Sequence, residues 1–151
     1  MSIIGWYYLH TNGSLIYKRE LDGDTSSDIR ESPFAVAMWP VHENDRENAW
    51  TILVEALSLG VDSSRINELA TKWNCTNDDA LIYAKRIGLS LNRDGFAYLA
   101  TASSTTGCGN TYLEAMADLC KKLGYKGGKM WTATFKDLLR KHEEKSTDLQ
   151  K

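Results

Sequence analysis

The chain is poor in the residues that most often announce chemistry, with only three cysteines and three histidines in 151 positions. Cys75, Cys108 and Cys120 are odd in number, widely spaced and outside any CxxC pair. That pattern excludes a disulfide framework and a cysteine zinc site, and it points to a reducing cytoplasm. His10, His42 and His142 lie far apart, and no HExxH, CxxH or acidic calcium-loop pattern joins them to other ligands, so no metal or other cofactor is expected. Long apolar runs are missing as well. Phe34 to Val41, broken by Pro40, and Thr51 to Val54 fall far short of the ~20 residues that a membrane-spanning helix needs. Met1 to Tyr8 lacks the basic start and continuous apolar stretch of a secretory signal.

What is present is ordinary globular composition, 42% hydrophobic and 25% charged, enough for one compact unit over residues 1–143 followed by a fraying polar tail over 144–151. Charge is unevenly placed. Residues 1–62 carry four basic and ten acidic groups, net −6, whereas residues 121–151 carry nine basic and four acidic groups, net +5. Such asymmetry marks either a nucleic-acid contact or a pairing of the two ends. Lys121, Lys122, Lys126 and Lys129 cluster where a helix should end, where they also complement its dipole and aid solubility.

Period and punctuation give an α+β chain. Trp6 to Leu9 and Leu15 to Tyr17 flank Asn12-Gly13, the signature of a type I′ hairpin. Leu21 to Asp28 reads as a loop, and Ser32-Pro33 as the cap and first turn of a short helix over Phe34 to Trp39. Asn44, Asp45 and Glu47 offer caps to a helix with Trp50, Leu53, Val54 and Leu57 on one apolar face, ending at Gly60. Further helices begin at Ser63 and at Thr76, the second ending at Gly88, and Leu89 to Tyr98 forms a second hairpin around Asn92 to Gly95. Ala102 to Gly109 reads as a surface loop, Thr111 and Glu114 as a capping box ahead of a helix to Gly124, and a last helix starts at Thr132 or Thr134 and frays after His142.

The segment 63–101 resembles a winged helix-turn-helix. Ala70, Asn74, Ala80 and Tyr83 occupy the crossing, turn and anchor positions, and Gly88-Leu89, Arg93-Asp94-Gly95 and Tyr98 resemble the passage from helix to wing. For DNA, the candidate contacts are Thr76, Asn77, Lys85 and Arg93. Asp78 and Asp79 at the start of that helix repel phosphates, and the segment carries five basic and four acidic groups, net +1. Leu81 and Ile82, if they project outward, suit another protein better than a base edge.

Enzyme readings have less behind them. Gly107 and Gly109 before a helix suggest an anion site, yet a P-loop Lys-Ser or Lys-Thr pair is absent, and a loop and a cap explain them. Cys108 would need a histidine base to act as a nucleophile, and no spacing of carboxylates marks a general acid and base. Among the five tryptophans (Trp6, Trp39, Trp50, Trp73 and Trp131), core packing is the default, whereas an exposed Trp6 with Tyr8 would form a recognition surface.

The stretches GWYYLHTNGSLIYK, DIRESPFAVAMWP, DRENAWTILVEAL, RINELATKW, TYLEAMADLCKKLGY and KMWTATFKDLL together resemble a group of small uncharacterised proteins encoded by tailed phages and prophages of proteobacteria. The resemblance spans nearly the whole chain and implies an accessory phage gene product acting in the host cytoplasm. It brings no activity, cofactor or catalytic residue with it. The expectation is a non-enzymatic protein that binds a host or phage protein through Leu81, Ile82, Trp6 and Tyr8. The alternative is a winged-helix transcriptional regulator, and a homodimer is compatible with either.

Overall fold

The computed structural model describes residues 3–21, 23–129 and 134–149, with side chains as far as residue 142. Alternating aromatic and aliphatic residues make β1 (Ile3–His10) and β2 (Leu15–Arg19) the antiparallel hairpin read from the sequence, with Leu9 opposite Leu15. Its turn is wider than the type I′ turn expected. Of the Asn12-Gly13 pair, only Gly13 takes a positive φ (+91°), and the Asn12 side chain accepts from the Ser14 amide at 2.9 Å.

Two expectations between the first hairpin and the central helix are corrected. The stretch read as a loop contains most of a short helix, α1 (Thr25–Glu31), and Phe34 to Trp39 is not a helix but most of β3 (Ala35–His42), which pairs antiparallel with β1. Ser32 closes α1, its amide bonding to Ile29 O, instead of opening a new helix. Once β2 occupies one edge of β1 the other edge needs a partner, and that long-range ladder outweighs the local Ser-Pro helix start.

Asp45 caps α2 (Arg46–Ser58) by accepting from Asn48 N at 3.1 Å. Ile52, Leu53, Val54, Glu55 and Ala56 are buried in succession, so this helix is enclosed on nearly every side and not along one stripe. α3 (Ser63–Lys72) and α4 (Asn77–Ile87) follow, and a meander of β4 (Ser90–Asp94), β5 (Ala97–Ala102) and β6 (Thr105–Gly109) forms the second antiparallel sheet. The loop expected over Ala102 to Gly109 is therefore mostly a strand. Its glycines answer to α5 (Tyr112–Lys122), since a Cβ at Gly107 would lie 2.3 Å from Leu119 N and one at Gly109 would lie 2.5 Å from Glu114 Cβ.

β6 is an edge strand whose outward groups are occupied by α5 itself. Cys108 N donates to Asp118 Oδ2 (2.9 Å), and Lys122 Nζ donates to Thr106 O (2.9 Å) while pairing with Asp118. Thr111 caps α5 as expected, but Glu114 accepts from Asn110 N and not from the cap residue's own amide. α6 (Phe135–Leu149) is capped by Thr134 and Asp137, buries Phe135 and Leu139, and continues past His142. The alternative start at Thr132, and Trp131, lie outside the described residues. The main core draws on both sheets and on α2 to α6, and a smaller cluster of Trp6, Ile29, Ala35 and Met38 joins α1 to the other face of the first sheet.

Candidate functional site

The helix pair and hairpin of residues 63–101 are built as their local chemistry dictates. Asn74 turns the chain between α3 and α4 with a φ of +53°, and Thr76 with Asp79 forms a reciprocal capping box on α4. Ala80 and Tyr83 anchor α4 in the core, Tyr83 stacking near Trp50 and sharing a 3.1 Å hydroxyl contact with Thr51. One element was not legible in advance. Arg46, on α2, donates to Trp73 O, Asn74 O and Asp79 Oδ2, so its guanidinium clamps the α3–α4 turn from outside. The Thr76 amide foremost, and Arg46, hold the Asp79 carboxyl below its usual range.

The outward side of α4 carries Asn77, Asp78, Leu81, Ile82 and Lys85, with Leu81 44% and Ile82 55% exposed. Ile82 borders a cleft of about 230 Å³ shared with Trp50 and Arg86. Arg93 lies within β4 opposite Tyr98, not at the hairpin tip, with its guanidinium 5.0 Å over the Tyr98 ring and donating to Gly95 O. Next to it stands Phe96, 93% exposed. Asn92, Arg93 and Asp94 pair with Leu99, Tyr98 and Ala97, so the turn is Gly95-Phe96 and not the expected Asn92 to Gly95, and a side chain at such a tip has nothing to pack on.

Other candidates are placed differently. Trp6 is 2% exposed, covered by Ile29 of α1, and its indole donates to Glu20, so it does not form the recognition surface proposed for it. The reason is α1 itself, which covers this face of the sheet although the composition of Leu21 to Asp28 predicts a loop. Tyr8 is half-buried against the same cluster, with Lys18 Nζ 5.9 Å from its ring centroid. Two of the clustered lysines have local tasks: Lys122 at β6, and Lys129, which donates to Arg30 O (3.1 Å) and Ser32 O (2.7 Å) at the end of α1. Gly107 and Gly109 serve helix packing and do not frame an anion site. Cys108 is exposed on β6, whereas burial pushes the Cys75 thiol up to about 11 and raises Cys120 as well.

A second locus lies at the β3–α2 junction, where two cavities of about 430 and 410 Å³ flank a turn and share His42, Asp45 and Asn48. Asn48 braces the turn, its side chain accepting from His42 N (3.0 Å) and donating to Pro40 O (2.7 Å). Glu55, 1% exposed, lines the second cavity beside Trp39, Tyr125, Gly127 and Gly128. Trp39 Nε1 donates to Glu55 Oε1 at 3.4 Å. Burial pushes the Glu55 carboxyl up to about 7 against the lowering influence of the Tyr125 hydroxyl, the Trp39 indole and the Phe135 amide. Among the described residues, Glu55 Oε2 and His42 Nδ1 are buried without a hydrogen-bond partner. The sequence signal for this locus was a lone carboxylate inside the apolar run Ile52 to Leu57.

Among the described residues no group of three His, Cys, Asp or Glu side chains could hold a metal ion, and no helix is long and apolar enough to cross a membrane. No protein-family model, curated protein or solved structure matches the chain.

Proposed function

We propose that this chain is a non-enzymatic accessory protein of a phage or prophage that works in the host cytoplasm by binding another protein through the outer side of α4 and the tip of the second hairpin. The observation that carries this reading is the exposure of Leu81, Ile82 and Phe96. Apolar side chains held out on a rigid scaffold gain most by burial against a partner of similar character, and large aromatic and aliphatic residues of this kind anchor protein interfaces. A helix that reads DNA would carry polar and basic groups at these positions. The test is affinity capture of tagged protein from host lysate with and without nuclease, repeated with Ile82→Asp and Phe96→Ser. A stoichiometric protein that survives nuclease and is lost with either variant supports the reading, and capture unaffected by both variants counts against it.

The runner-up is a winged-helix DNA-binding regulator using Thr76, Asn77, Lys85 and Arg93. One observation favours it: the Asp79 charge is taken up by Arg46 and the cap, leaving Asp78 as the exposed carboxylate of the first turn. DNA affinity falling steeply with salt would support this alternative, and no binding to operator-like DNA at low salt would remove it.

A further inference from the structure

We propose that the cavities flanking the β3–α2 junction form a binding site for an organic cation, an alkylammonium or guanidinium group, carried by a free small molecule or by a basic peptide. Three observations converge on that chemistry. First, the walls are acidic: Glu43, Asp45, Glu47 and Glu55 line the two cavities. The cations near them are already engaged, Arg46 with the α3–α4 turn and Lys136 with Glu47 at 3.9 Å. Second, Trp39 and Tyr125 flank Glu55 and Trp73 lines the neighbouring cavity, and aromatic faces beside carboxylates attract cations. Third, Glu55 Oε2 is buried with no well-formed hydrogen bond among the described residues, although the Tyr125 hydroxyl and Phe135 amide lie near the carboxyl, and a ligand with N–H donors completes it.

Alternative ligands fit less well. An anion would meet the field of the Glu43, Asp45 and Glu47 carboxylates. A metal ion would need three converging ligands, and no such group exists among the described residues. A cavity of about 410 Å³ is within the usual size for a small organic ligand.

Binding would act through Glu55, because a cation favours its ionised form and expels the proton that burial retains. The groups facing this carboxyl are Trp39 from β3, Tyr83 from α4, Cys120 from α5, Tyr125 from the following loop, and Asp137 with the Phe135 amide from α6. Linkage then makes affinity rise by about tenfold between pH 6 and pH 8.

The test is isothermal titration calorimetry of the full chain with agmatine, with the peptide acetyl-Gly-Arg-Gly-amide, and with neutral N-butylurea as the control. Saturable binding of agmatine or the peptide, absent for N-butylurea and tighter at pH 8, supports the site, and the relative affinity of the two identifies the source of the cation. Glu55→Gln is expected to weaken binding tenfold or more, and Glu47→Gln, at the Lys136 pair, severalfold. If Glu55→Gln does not fold, the pH dependence of the unaltered chain and the Glu47→Gln result decide the matter. No saturable binding of either cation, equal binding of N-butylurea, or affinity independent of pH overturns the proposal.

Discussion

Glu55 sits in mid-helix among Ile52, Leu53, Val54 and Ala56, all withdrawn from water, and burial raises its pKa from 4.5 to about 7. Folding and protonation are thereby coupled. The unfolded chain releases this proton near pH 4.5, whereas the folded chain keeps it until about pH 7. Between those values the unfolded state binds fewer protons, so stability falls as pH rises. The stabilising contribution is complete below pH 4.5 and lost above about 7. The rise from 4.5 to about 7 amounts to about 3 kcal/mol, of which about 2.5 kcal/mol falls between pH 5 and pH 8. For a chain of this size that corresponds to roughly 5–10 °C in Tm.

Urea denaturation of the unaltered protein and of Glu55→Gln across that pH range isolates the effect, because every other titrating group contributes to both proteins. The stability difference should move by about 2.5 kcal/mol in favour of the glutamine variant as the pH goes from 5 to 8. Parallel pH profiles would show that the folded chain carries Glu55 with an ordinary carboxylate pKa, and the reasoning from desolvation would be wrong.

Gly107→Ala should destabilise the fold by about 3 kcal/mol or more, read by chemical denaturation, because the new methyl meets the backbone of α5 and not a movable side chain. Arg46→Ala should cost about 1–2 kcal/mol of stability by the same measure, discounted for the half-exposed guanidinium, through loss of the three contacts that clamp the α3–α4 turn. Thr111→Ala should lower stability by about 1 kcal/mol by removing the oxygen that caps α5 at Glu114 N. Ile82→Asp should leave Tm nearly unchanged, within about 0.5 kcal/mol of stability, since its side chain is already more than half exposed, while abolishing partner capture.

The elements legible in the sequence are those whose causes are local. Asp45, Thr76 and Thr111 each cap the helix they precede because a cap needs only residues two or three positions away. The strands of the hairpins are legible for the same reason but their turns are not, since Asn12-Gly13 forms no type I′ turn and the second turn falls at Gly95-Phe96 and not over Asn92 to Gly95. β3 was hidden because Ser32-Pro33 carries a helix-start pattern, and only the open edge of β1, far back in the chain, overrides it. β6 was hidden for a related reason. Thr105 to Gly109 is small and polar as loops are, but its glycines are set by the approach of α5, which no local window contains.

The candidate surface residues divide along the same line. Leu81 and Ile82 fall outside the buried set Ala80, Tyr83, Ala84 and Ile87 by helical spacing alone, so their exposure follows from the pattern of α4. The burial of Trp6 depends instead on α1, a short helix held to the sheet largely by Ile29, and nothing near Trp6 in sequence signals it. Glu55 is the sharper case. On a helix with one apolar stripe it would be a solvated charge, and only the enclosure of α2 by β3, α4, α5 and α6 together makes it a buried acid at the wall of one cavity. Its chemistry is therefore a property of the assembled core: any change at Phe135 that lets water reach the carboxyl should bring the Glu55 pKa back toward 4.5, because burial outweighs the lowering influence of the Phe135 amide, and NMR titration of the carboxyl carbon would read it directly.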